Sequence, residues 1–455
     1  MNPLAVELAK LSIWLITLAK GRPFGFLDHN LRSGDSLLGI TNLEQLHYLD
    51  MNPGKGSAKK LFASKIDQAV TQAIELRSEL RSRPIRDIRD VEVMAQLDGE
   101  AHRKLEMPEL VADLLMGEVL EADGRDIDTT MLAIDIGGAL DGDQRKVEDL
   151  SRRAQKGLAK DFPAGGKVRR PFHWPLEFPE VFNSGRGGFD AFVGNPPFVG
   201  GQLLSGNFGP SYQSYLVNFL TYDEKSSVDL VVFFFLRVYG LLNEGACMGL
   251  LARRSISEGK NREAGLTQLL SHGASIYCAN TNIRWPGKAS VVVHQIHIFK
   301  GDWAGKRLLN NQTVNTISAD LGDTEFWEAK KLNENLGRAF QGPVLLGEGF
   351  KIDHEVAKTW IDTDESYNRI LFPFIGGNEV NKDPFYRPPC SAINFWDWSE
   401  EESRKFTFAY ERVESEVLPA RLKQKNEIAK SRWWLHYRSG IDSASSRRER
   451  PRMEA

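Results

Sequence analysis

The stretch 189–198, FDAFVGNPPF, constrains the fold of this chain more than any other. An apolar run that is broken by a glycine and then by two prolines is typical of a buried parallel strand in an α/β sheet. The strand has to end where Pro196 and Pro197 remove two backbone donors. In open α/β sheets, ligands bind in the crevice beyond the carboxyl ends of the strands. Asn195 and Phe198 are therefore predicted to lie in a binding crevice.

The residue types after this strand suit one kind of reaction. The side-chain oxygen of Asn195 and a main-chain carbonyl freed by the proline pair are two acceptors that can converge on one amino group. An exocyclic amine that donates to both has its lone pair drawn out of conjugation and directed at an electrophile. Phe198 can stack on the ring that carries the amine. A strand that simply ends in an Asn-Pro turn is the alternative interpretation.

The motif Asn195-Pro196-Pro197-Phe198 resembles the catalytic motif of adenine-specific DNA methyltransferases, which transfer a methyl group from S-adenosyl-L-methionine to the exocyclic amine of adenine. The segment 171–182, PFHWPLEFPEVF, resembles the lead-in to this motif in the large methyltransferases of type IIG restriction-modification enzymes and related phage-defence systems. Further segments that resemble the same family are 2–15, 31–39, 285–291 and 374–381.

The resemblance implies a doubly wound, Rossmann-like α/β sheet with a helical insertion and a C-terminal target-recognition region. It also implies a site-specific, adenine-specific enzyme that methylates double-stranded DNA in a restriction-modification or phage-defence system. On this interpretation the catalytic residues are Asn195, Pro196, Pro197 and Phe198. The cofactor is S-adenosyl-L-methionine, and no metal is expected.

The same resemblance implies four cofactor-binding residues. Asp35 corresponds to an acid that accepts a hydrogen bond from the adenine amine of the cofactor, Asn2 and Pro3 open a helix beside the cofactor, and Asp229 heads a later helix that packs there. Local sequence offers alternatives, because Asp35 also suits a turn or a helix N-cap and Asp229 also suits an N-cap.

In the family, the opening helix follows a strand that ends in an acid, and a glycine loop precedes that strand. These two features bind the ribose and the methionine part of the cofactor. Here Met1 stands directly before the helix. We therefore expect an incomplete sheet in a fragment truncated at both ends, weak cofactor binding, and an upstream polypeptide as the partner that completes the cofactor site.

The resemblance and the composition together divide the chain into five segments. These are a partial methyltransferase core with a helix and a third strand (1–40), a helical insertion (41–170), the catalytic half of the core (171–305), a partial target-recognition region (306–438) and a disordered tail (439–455). Apolar residues at three- and four-residue spacing predict amphipathic helices at 66–83 and 105–120. The insertion either clamps DNA or another domain, or is a solvated helical hairpin.

Two aromatic segments have open interpretations. The aromatic residues of 208–219 either line a pocket for an extruded base or pack in the core. A basic and aromatic cluster nearer the C-terminus either contacts DNA or is a solvated helix with a tryptophan anchor. Its members are Arg421, Lys423, Lys425, Arg432, Trp433 and Trp434.

The composition excludes some classes of protein. A net charge of −3 over 455 residues argues against a uniformly basic nucleic-acid binder, although local basic patches stay compatible with it. The apolar stretch 4–18 is too short to span a bilayer and contains Glu7 and Lys10, so no membrane association is expected. The three cysteines lack metal-ligand spacing and indicate buried thiols in a cytoplasmic protein.

Two further functions are compatible with the sequence. One is a catalytically inactive fragment that keeps the fold and binds DNA weakly, with strong salt dependence and little sequence preference. The other is methylation of a glutamine amide in protein, which also uses an Asn-Pro-Pro motif. The helical insertion and the C-terminal region favour DNA as the substrate.

Overall fold

The computed structural model describes most of the chain. The described residues are 3–17, 27–54, 57–125, 127–163, 166, 168–183, 185, 187–222, 226–285, 292–324, 345, 347–423 and 430–436. The chain forms two compact units, Met1–Trp327 and Glu328–Ala455. We call them the N-terminal unit and the C-terminal unit, and each has its own hydrophobic core.

The N-terminal unit contains one mixed sheet of six strands. Its strands are β1 (Phe189–Gly194), β2 (Leu242–Arg253), β3 (Ala274–Arg284), β4 (Val292–Lys300), β5 (Arg307–Leu309) and β6 (Gln312–Val314), in the spatial order β1-β2-β4-β3-β5-β6. β1 runs parallel to β2, β4 runs antiparallel to both β2 and β3, and β3 runs parallel to β5. The predicted α/β class is confirmed.

Helices make up the rest of the described secondary structure in this unit. They are α1 (Pro3–Thr17), α2 (Glu44–Tyr48), α3 (Ala63–Ser82), α4 (Ile88–Ala122), α5 (Thr130–Leu140), α6 (Gln144–Leu158), α7 (Trp174–Glu177), α8 (Pro179–Phe182), α9 (Leu204–Phe208), α10 (Pro210–Phe219), α11 (Leu230–Leu241), α12 (Gly259–Arg262) and α13 (Gln268–Ser271). The amphipathic helix predicted at 66–83 corresponds to α3, and the one predicted at 105–120 lies within α4.

The sequence explains where the longer helices begin and what they bury. Asp87 starts α4 with a capping box that includes Asp90, and Asp143 accepts hydrogen bonds from the first turn of α6. α11 is apolar on nearly all sides, and a helix of that kind is buried rather than amphipathic. The buried side chains of the helical segment and those of the sheet form one continuous core.

The prediction that β1 is a buried strand is wrong, although it does run parallel to β2. β1 lies at the edge of the sheet, and Val193 is 92% exposed. The physical reason is that, among the described residues, β1 pairs with a strand on one side only, so fewer neighbours surround it. Asp190, Ala191 and Val193 are exposed, and the other three residues of β1 are half-buried.

Two segment predictions can be set beside the structure. The strand expected before Asp35 stays a prediction, because residues 18–26 lie outside the described residues, and residues 27–40 form turns with one isolated parallel bridge between Asp35 and Pro171. The expected boundary at residue 306 falls inside the N-terminal unit, because β5 pairs with β3 and so extends the sheet past that residue.

The C-terminal unit has a smaller, antiparallel sheet. Its strands are β7 (Lys351–Ile352), β8 (Leu371–Phe374) and β9 (Cys390–Ile393), in the order β7-β9-β8, and its helices are α14 (His354–Thr363), α15 (Gly377–Lys382), α16 (Glu400–Arg404), α17 (Thr407–Glu416) and α18 (Leu418–Leu422). The tail predicted to be disordered lies outside the described residues. In the described ranges of both units, no helix combines the length and the apolarity needed to cross a membrane. Cys247, Cys278 and Cys390 form no disulfide and are half-buried, whereas buried thiols were expected.

Candidate active site

A cavity of about 670 Å³ lies beside the carboxyl end of β1. Its lining consists of the turn 34–37, the segment 192–198, side chains of α10 and α11, and Trp174, Phe208 and Leu250. Asp35 is the only carboxylate and Arg237 the only cation among the described lining residues. The structure therefore brings Asp35 and the Asn-Pro-Pro-Phe motif into one cavity, as their predicted roles require.

The segment 195–198, which we call the catalytic turn, has unused polar groups. Asn195 and Pro197 are exposed, whereas Pro196 is buried. Neither the side-chain amide of Asn195 nor the carbonyl of Pro196 has a hydrogen-bond partner among the described residues. Phe198 is half-buried and lines the cavity with its neighbours. The turn thus presents two acceptors and an aromatic ring to the cavity.

By contrast, the segment 34–40, which we call the Asp35 turn, is held by hydrogen bonds within the protein. Oδ1 of Asp35 accepts hydrogen bonds from the hydroxyl of Tyr212 at 3.0 Å and from the backbone N–H groups of Leu37 at 3.1 Å and Leu38 at 3.4 Å. Oδ2 has no partner among the residues described. Burial, with the charge of Asp35, raises the pKa of Tyr212 well above its usual value, so this hydroxyl stays protonated and donates.

A second pair of side chains fixes the same turn from α10 and α11. The carbonyl of Leu37 accepts a hydrogen bond from the hydroxyl of Tyr215 at 2.9 Å and from Nη2 of Arg237 at 2.6 Å. The Tyr215 hydroxyl also accepts from Arg237 at 2.8 Å. Sequence reasoning missed this role for Arg237. The available signal was a single charge in the otherwise apolar helix α11, since a buried charge needs polar partners.

The lead-in motif 171–182 joins the Asp35 turn to β1. Nε1 of Trp174 donates to the carbonyl of Ser36 at 3.1 Å, and the Trp174 ring packs edge-on against Phe189 and Phe192 of β1, with 5.7 Å between ring centroids in each case. Nδ1 of His173 accepts from the N–H of Ile40 at 3.4 Å. This motif is therefore a scaffold that positions both halves of the site.

Gly39 is required where the Asp35 turn meets this motif. Its φ is +145°, and a Cβ atom at this position would lie 2.2 Å from the carbonyl oxygen of Phe172. The close approach allows the N–H of Phe172 to donate to the carbonyl of Leu38 at 2.7 Å. A larger residue would force the two segments apart.

The acids of the lead-in motif bind arginines rather than the cavity. Glu177 lies 3.5 Å from Nε of Arg32, and Glu180 lies 3.2 Å from Nε of Arg77 in α3. Nη1 of Arg77 also donates to the carbonyl of Glu177 at 2.8 Å. These buried ion pairs attach the motif to the helical segment, which explains why the motif carries two glutamates.

Asp229 lies next to the cavity but does not line it. Its Oδ1 accepts from the N–H of Gly201 at 3.0 Å, and its Oδ2 accepts from the hydroxyl of Ser255 at 2.7 Å. The N–H of Asp229 donates to Asn261 at 2.9 Å. Asp229 thus ties the chain that follows the catalytic turn to the loop after β2, and its predicted contact with the cofactor stays a prediction.

The other two predicted cofactor residues stay predictions. Asn2 lies outside the described residues, and Pro3 begins α1, which contributes no residue to the described lining of the cavity. Of the predicted pocket aromatics in 208–219, Phe208 and Tyr212 do line it. Within the described part of the chain, no group of three or more His, Cys, Asp or Glu residues could hold a metal ion.

The lining residues of the cavity are chemically compatible with the adenosine end of S-adenosyl-L-methionine, the predicted cofactor. Oδ2 of Asp35 has no hydrogen-bond partner among the described residues, so it can accept a hydrogen bond from an adenine amine. Leu37, Phe208 and Phe234 provide apolar surface for the ring.

The basic and aromatic cluster of the C-terminal unit is divided between core and surface. Arg421 and Trp433 are buried and Trp434 is half-buried, whereas Lys423 and Arg432 are exposed. Arg421 is 1% exposed and donates to the carbonyl of Leu435 at 3.3 Å, and Trp433 packs against Tyr410. These two side chains are not available to DNA in this conformation. Lys425 lies outside the described residues.

Comparison with known proteins identifies the family. The model of the Eco57I restriction-modification methylase family matches residues 1–273, and the chain belongs to this family. The predicted relationship to restriction-modification methyltransferases is thereby confirmed. No curated protein matches the chain.

Solved structures of restriction-modification proteins are also similar. The type IIL restriction-modification enzyme MmeI, in complex with DNA, has 15% identity and a TM-score of 0.44 over 87% of this chain and 58% of that one. The type IIG restriction endonuclease BpuSI has 10% identity and a TM-score of 0.21 over 94% and 62% of the two chains. The EcoKI M protein, of a type I enzyme, has 12% identity and a TM-score of 0.20 over 95% and 93%. The chain thus spans 58% of the length of MmeI.

Proposed function

We propose that this protein is a site-specific, adenine-specific DNA methyltransferase of a restriction-modification or phage-defence system. The observation that carries the proposal is that the catalytic turn and the Asp35 turn line the same cavity. The first offers acceptors with no protein partner among the described residues, and the second offers a carboxylate oxygen held in place by its neighbours. Family membership supports methyl transfer as the class of reaction.

The catalytic turn provides the chemistry expected for a target amine. An extruded adenine donates its two amine hydrogens to Oδ1 of Asn195 and to the carbonyl of Pro196, which directs the amine lone pair out of the ring plane. Phe198 stacks on the adenine ring. The cofactor S-adenosyl-L-methionine supplies an electrophilic methyl group, and Asp35 holds its adenine amine.

The identity of the base is tested directly by the product. Duplex DNA incubated with the protein and cofactor is digested to nucleosides and analysed by mass spectrometry. We expect N6-methyladenine, and methylated cytosine as the product would contradict adenine specificity. Methylated glutamine in a protein substrate, with no methylated DNA, would instead favour the protein methyltransferase.

A further polypeptide segment is proposed to complete the cofactor site. β1 lies at the edge of its sheet with Val193 92% exposed, and Asp35 is the only carboxylate that the described residues place in the cavity. One carboxylate leaves the ribose and the methionine part of the cofactor without charged partners. Calorimetry with and without the polypeptide encoded upstream should show much tighter cofactor binding when it is present. Equally tight binding by this chain alone would refute this part of the proposal.

An inactive DNA-binding protein is the second candidate, and the same scarcity of cofactor contacts favours it. The two candidates differ in one observable. The enzyme binds S-adenosyl-L-methionine in a manner that depends on Asp35, whereas the inactive protein binds DNA with no measurable effect of the cofactor.

A further inference from the structure

The carboxyl ends of β1, β2 and β3 lie along one edge of the sheet. β1 and β2 are parallel, and β4 runs antiparallel to both β2 and β3, so β3 has the same direction as β2. The catalytic turn follows β1, Arg253 ends β2 and Arg284 ends β3. This edge therefore carries basic side chains next to the proposed target base.

Arg253 lies beside the catalytic turn. Its guanidinium lies 5.9 Å from the ring centroid of Phe198, the proposed stacking surface. The side chain is exposed, and among the described residues no carboxylate lies within ion-pair distance of it. An arginine that packs on an aromatic ring and keeps an unpaired charge is suited to bind an anion arriving with the substrate.

The adjacent residue provides a contrast. Nε of Arg254 lies 2.8 Å from Oε1 of Glu258, and this pair neutralises most of its charge locally. Arg253 and Arg254 are thus adjacent and both exposed, but only the guanidinium of Arg254 is paired with a carboxylate.

Other residues along this edge of the sheet are also positively charged. Lys260 and Arg284 are exposed and, like Arg253, have no ion-pair partner in the described part of the chain. Lys260 adjoins Asn261, whose side chain accepts from Asp229 beside the catalytic turn. Trp285 follows Arg284 and is 36% exposed. Unpaired cations interleaved with exposed aromatic rings are typical of a surface that binds nucleic-acid backbone.

We infer that Arg253 binds a backbone phosphate of duplex DNA next to the nucleotide whose base stacks on Phe198, with Lys260 and Arg284 contacting flanking phosphates. The inference rests on the proposed function, because that function places the base at Phe198. A base extruded into the cavity brings its own phosphates to the mouth, where the unpaired guanidinium lies. The Arg253 contact positions the target nucleotide and carries no sequence information.

The salt dependence of DNA binding tests this contact. A labelled duplex is titrated with protein from 50 to 200 mM salt, and the slope of log affinity against log salt is measured by fluorescence anisotropy. Each phosphate contact contributes roughly 0.9 to this slope, so Arg253→Gln should reduce it by about 1. The affinity ratio between parent and variant should then shrink roughly three- to fourfold across this range. Arg253→Lys, which keeps the charge, should retain the parental slope.

Arg254→Gln is the matched control and should change the slope much less, since Glu258 already pairs with Arg254. An unchanged slope in Arg253→Gln, or an equal loss in Arg254→Gln, would overturn the assignment. Asn195→Ala separates this test from that of the proposed function, because it should abolish methyl transfer and leave the slope unchanged. Methyl transfer that depends on Asn195, together with an unchanged slope in Arg253→Gln, would refute the phosphate contact alone.

Discussion

The Asp35 turn and the catalytic turn face the same cavity but are built in opposite ways. In the Asp35 turn, Tyr212 and two backbone N–H groups hold one oxygen of Asp35, and Tyr215 and Arg237 hold the carbonyl of Leu37. In the catalytic turn, the Asn195 side chain and the Pro196 carbonyl have no partner among the described residues. The first region is fixed by the protein itself, and the second keeps its acceptors for a substrate.

This difference between the two turns predicts which substitutions change stability and which change activity. Polar groups that are paired inside the protein contribute to folding, whereas exposed, unpaired groups contribute little to it and are available in the transition state. Substitutions in the Asp35 turn should therefore change stability together with cofactor binding. Substitutions in the catalytic turn should change activity with little change in stability.

The largest effect is expected for Asn195→Ala. Loss of one of the two acceptors for the target amine should cost roughly 3 kcal/mol or more in the transition state, by analogy with the loss of one preorganised polar group. The rate of methyl transfer should fall by about 100-fold or more, while the unfolding midpoint stays at the parental value. Asn183→Ala, outside the cavity, is a control for which activity should be retained. A loss of stability in Asn195→Ala that accounts for its loss of activity would contradict the proposed difference between the two turns.

Gly39→Ala should have the largest effect on stability. The added Cβ would meet the Phe172 carbonyl at 2.2 Å, and φ of +145° is unfavourable for any residue with a side chain. We expect roughly 2 kcal/mol or more of destabilisation and a weakened cofactor site. Gly137, in α5, has no atom within 4 Å of an added Cβ, so Gly137→Ala is the control and should be neutral or stabilising in a denaturant titration. A tolerated Gly39→Ala would show that the two segments are not held this closely.

The stability of the N-terminal unit should also depend on pH through Glu109 in α4. Burial, reinforced by the charges of Glu177 and Asp113, raises the pKa of Glu109 to about 7. Because the folded pKa exceeds the unfolded value, the folded protein binds more protons between about pH 4.5 and 7, and this contribution to stability is lost as the pH rises through that window. Glu109→Gln should therefore stabilise the protein at pH 8 by roughly 2–3 kcal/mol. Glu92, which is exposed in the same helix and is not among the charges that act on Glu109, is the control, and Glu92→Gln should leave the pH profile of unfolding unchanged.

The smallest effect is expected for Tyr212→Phe. This variant removes one donor to Oδ1 of Asp35, but the N–H groups of Leu37 and Leu38 remain. A loss of roughly 1 kcal/mol in stability is expected, with a comparable weakening of cofactor binding by calorimetry. Tyr222→Phe, which changes a ring stacked on His272, is the control and should not weaken cofactor binding. A Tyr212→Phe variant with no change in either quantity would mean that the backbone donors alone fix Asp35.

The sequence predicted the parts of the site that depend on local chemistry. Pro196 and Pro197 end a strand wherever that strand lies, so Asn195 could be placed at its carboxyl end. The edge position of β1 could not be predicted, because an apolar strand with one neighbour has the same sequence pattern as one with two. The roles of Arg237 and Tyr215 could not be predicted, because their partner is the backbone carbonyl of Leu37, about 200 residues away in the chain. Every residue has a backbone carbonyl, so a sequence motif does not show which carbonyl accepts such a hydrogen bond.

The C-terminal unit shows the converse limit. Arg421 and Trp433 have the composition of a nucleic-acid surface, but the guanidinium donates to a carbonyl and the indole packs in a hydrophobic core. Composition cannot distinguish a buried arginine from an exposed one. In the N-terminal unit, by contrast, no sequence motif marks Arg253. Its guanidinium is exposed and has no ion-pair partner among the described residues, as a phosphate contact requires.

The central claim is that Asn195 acts on an adenine amine in the cavity that Asp35 shares. The most direct test is mass spectrometry of nucleosides from duplex DNA incubated with S-adenosyl-L-methionine and either the parental protein or Asn195→Ala, each together with the segment proposed to complete the cofactor site. The account predicts N6-methyladenine with the parental protein and at least roughly 100-fold less with the variant. Equal amounts of N6-methyladenine from both proteins, or a methyl group found on another base, would contradict it.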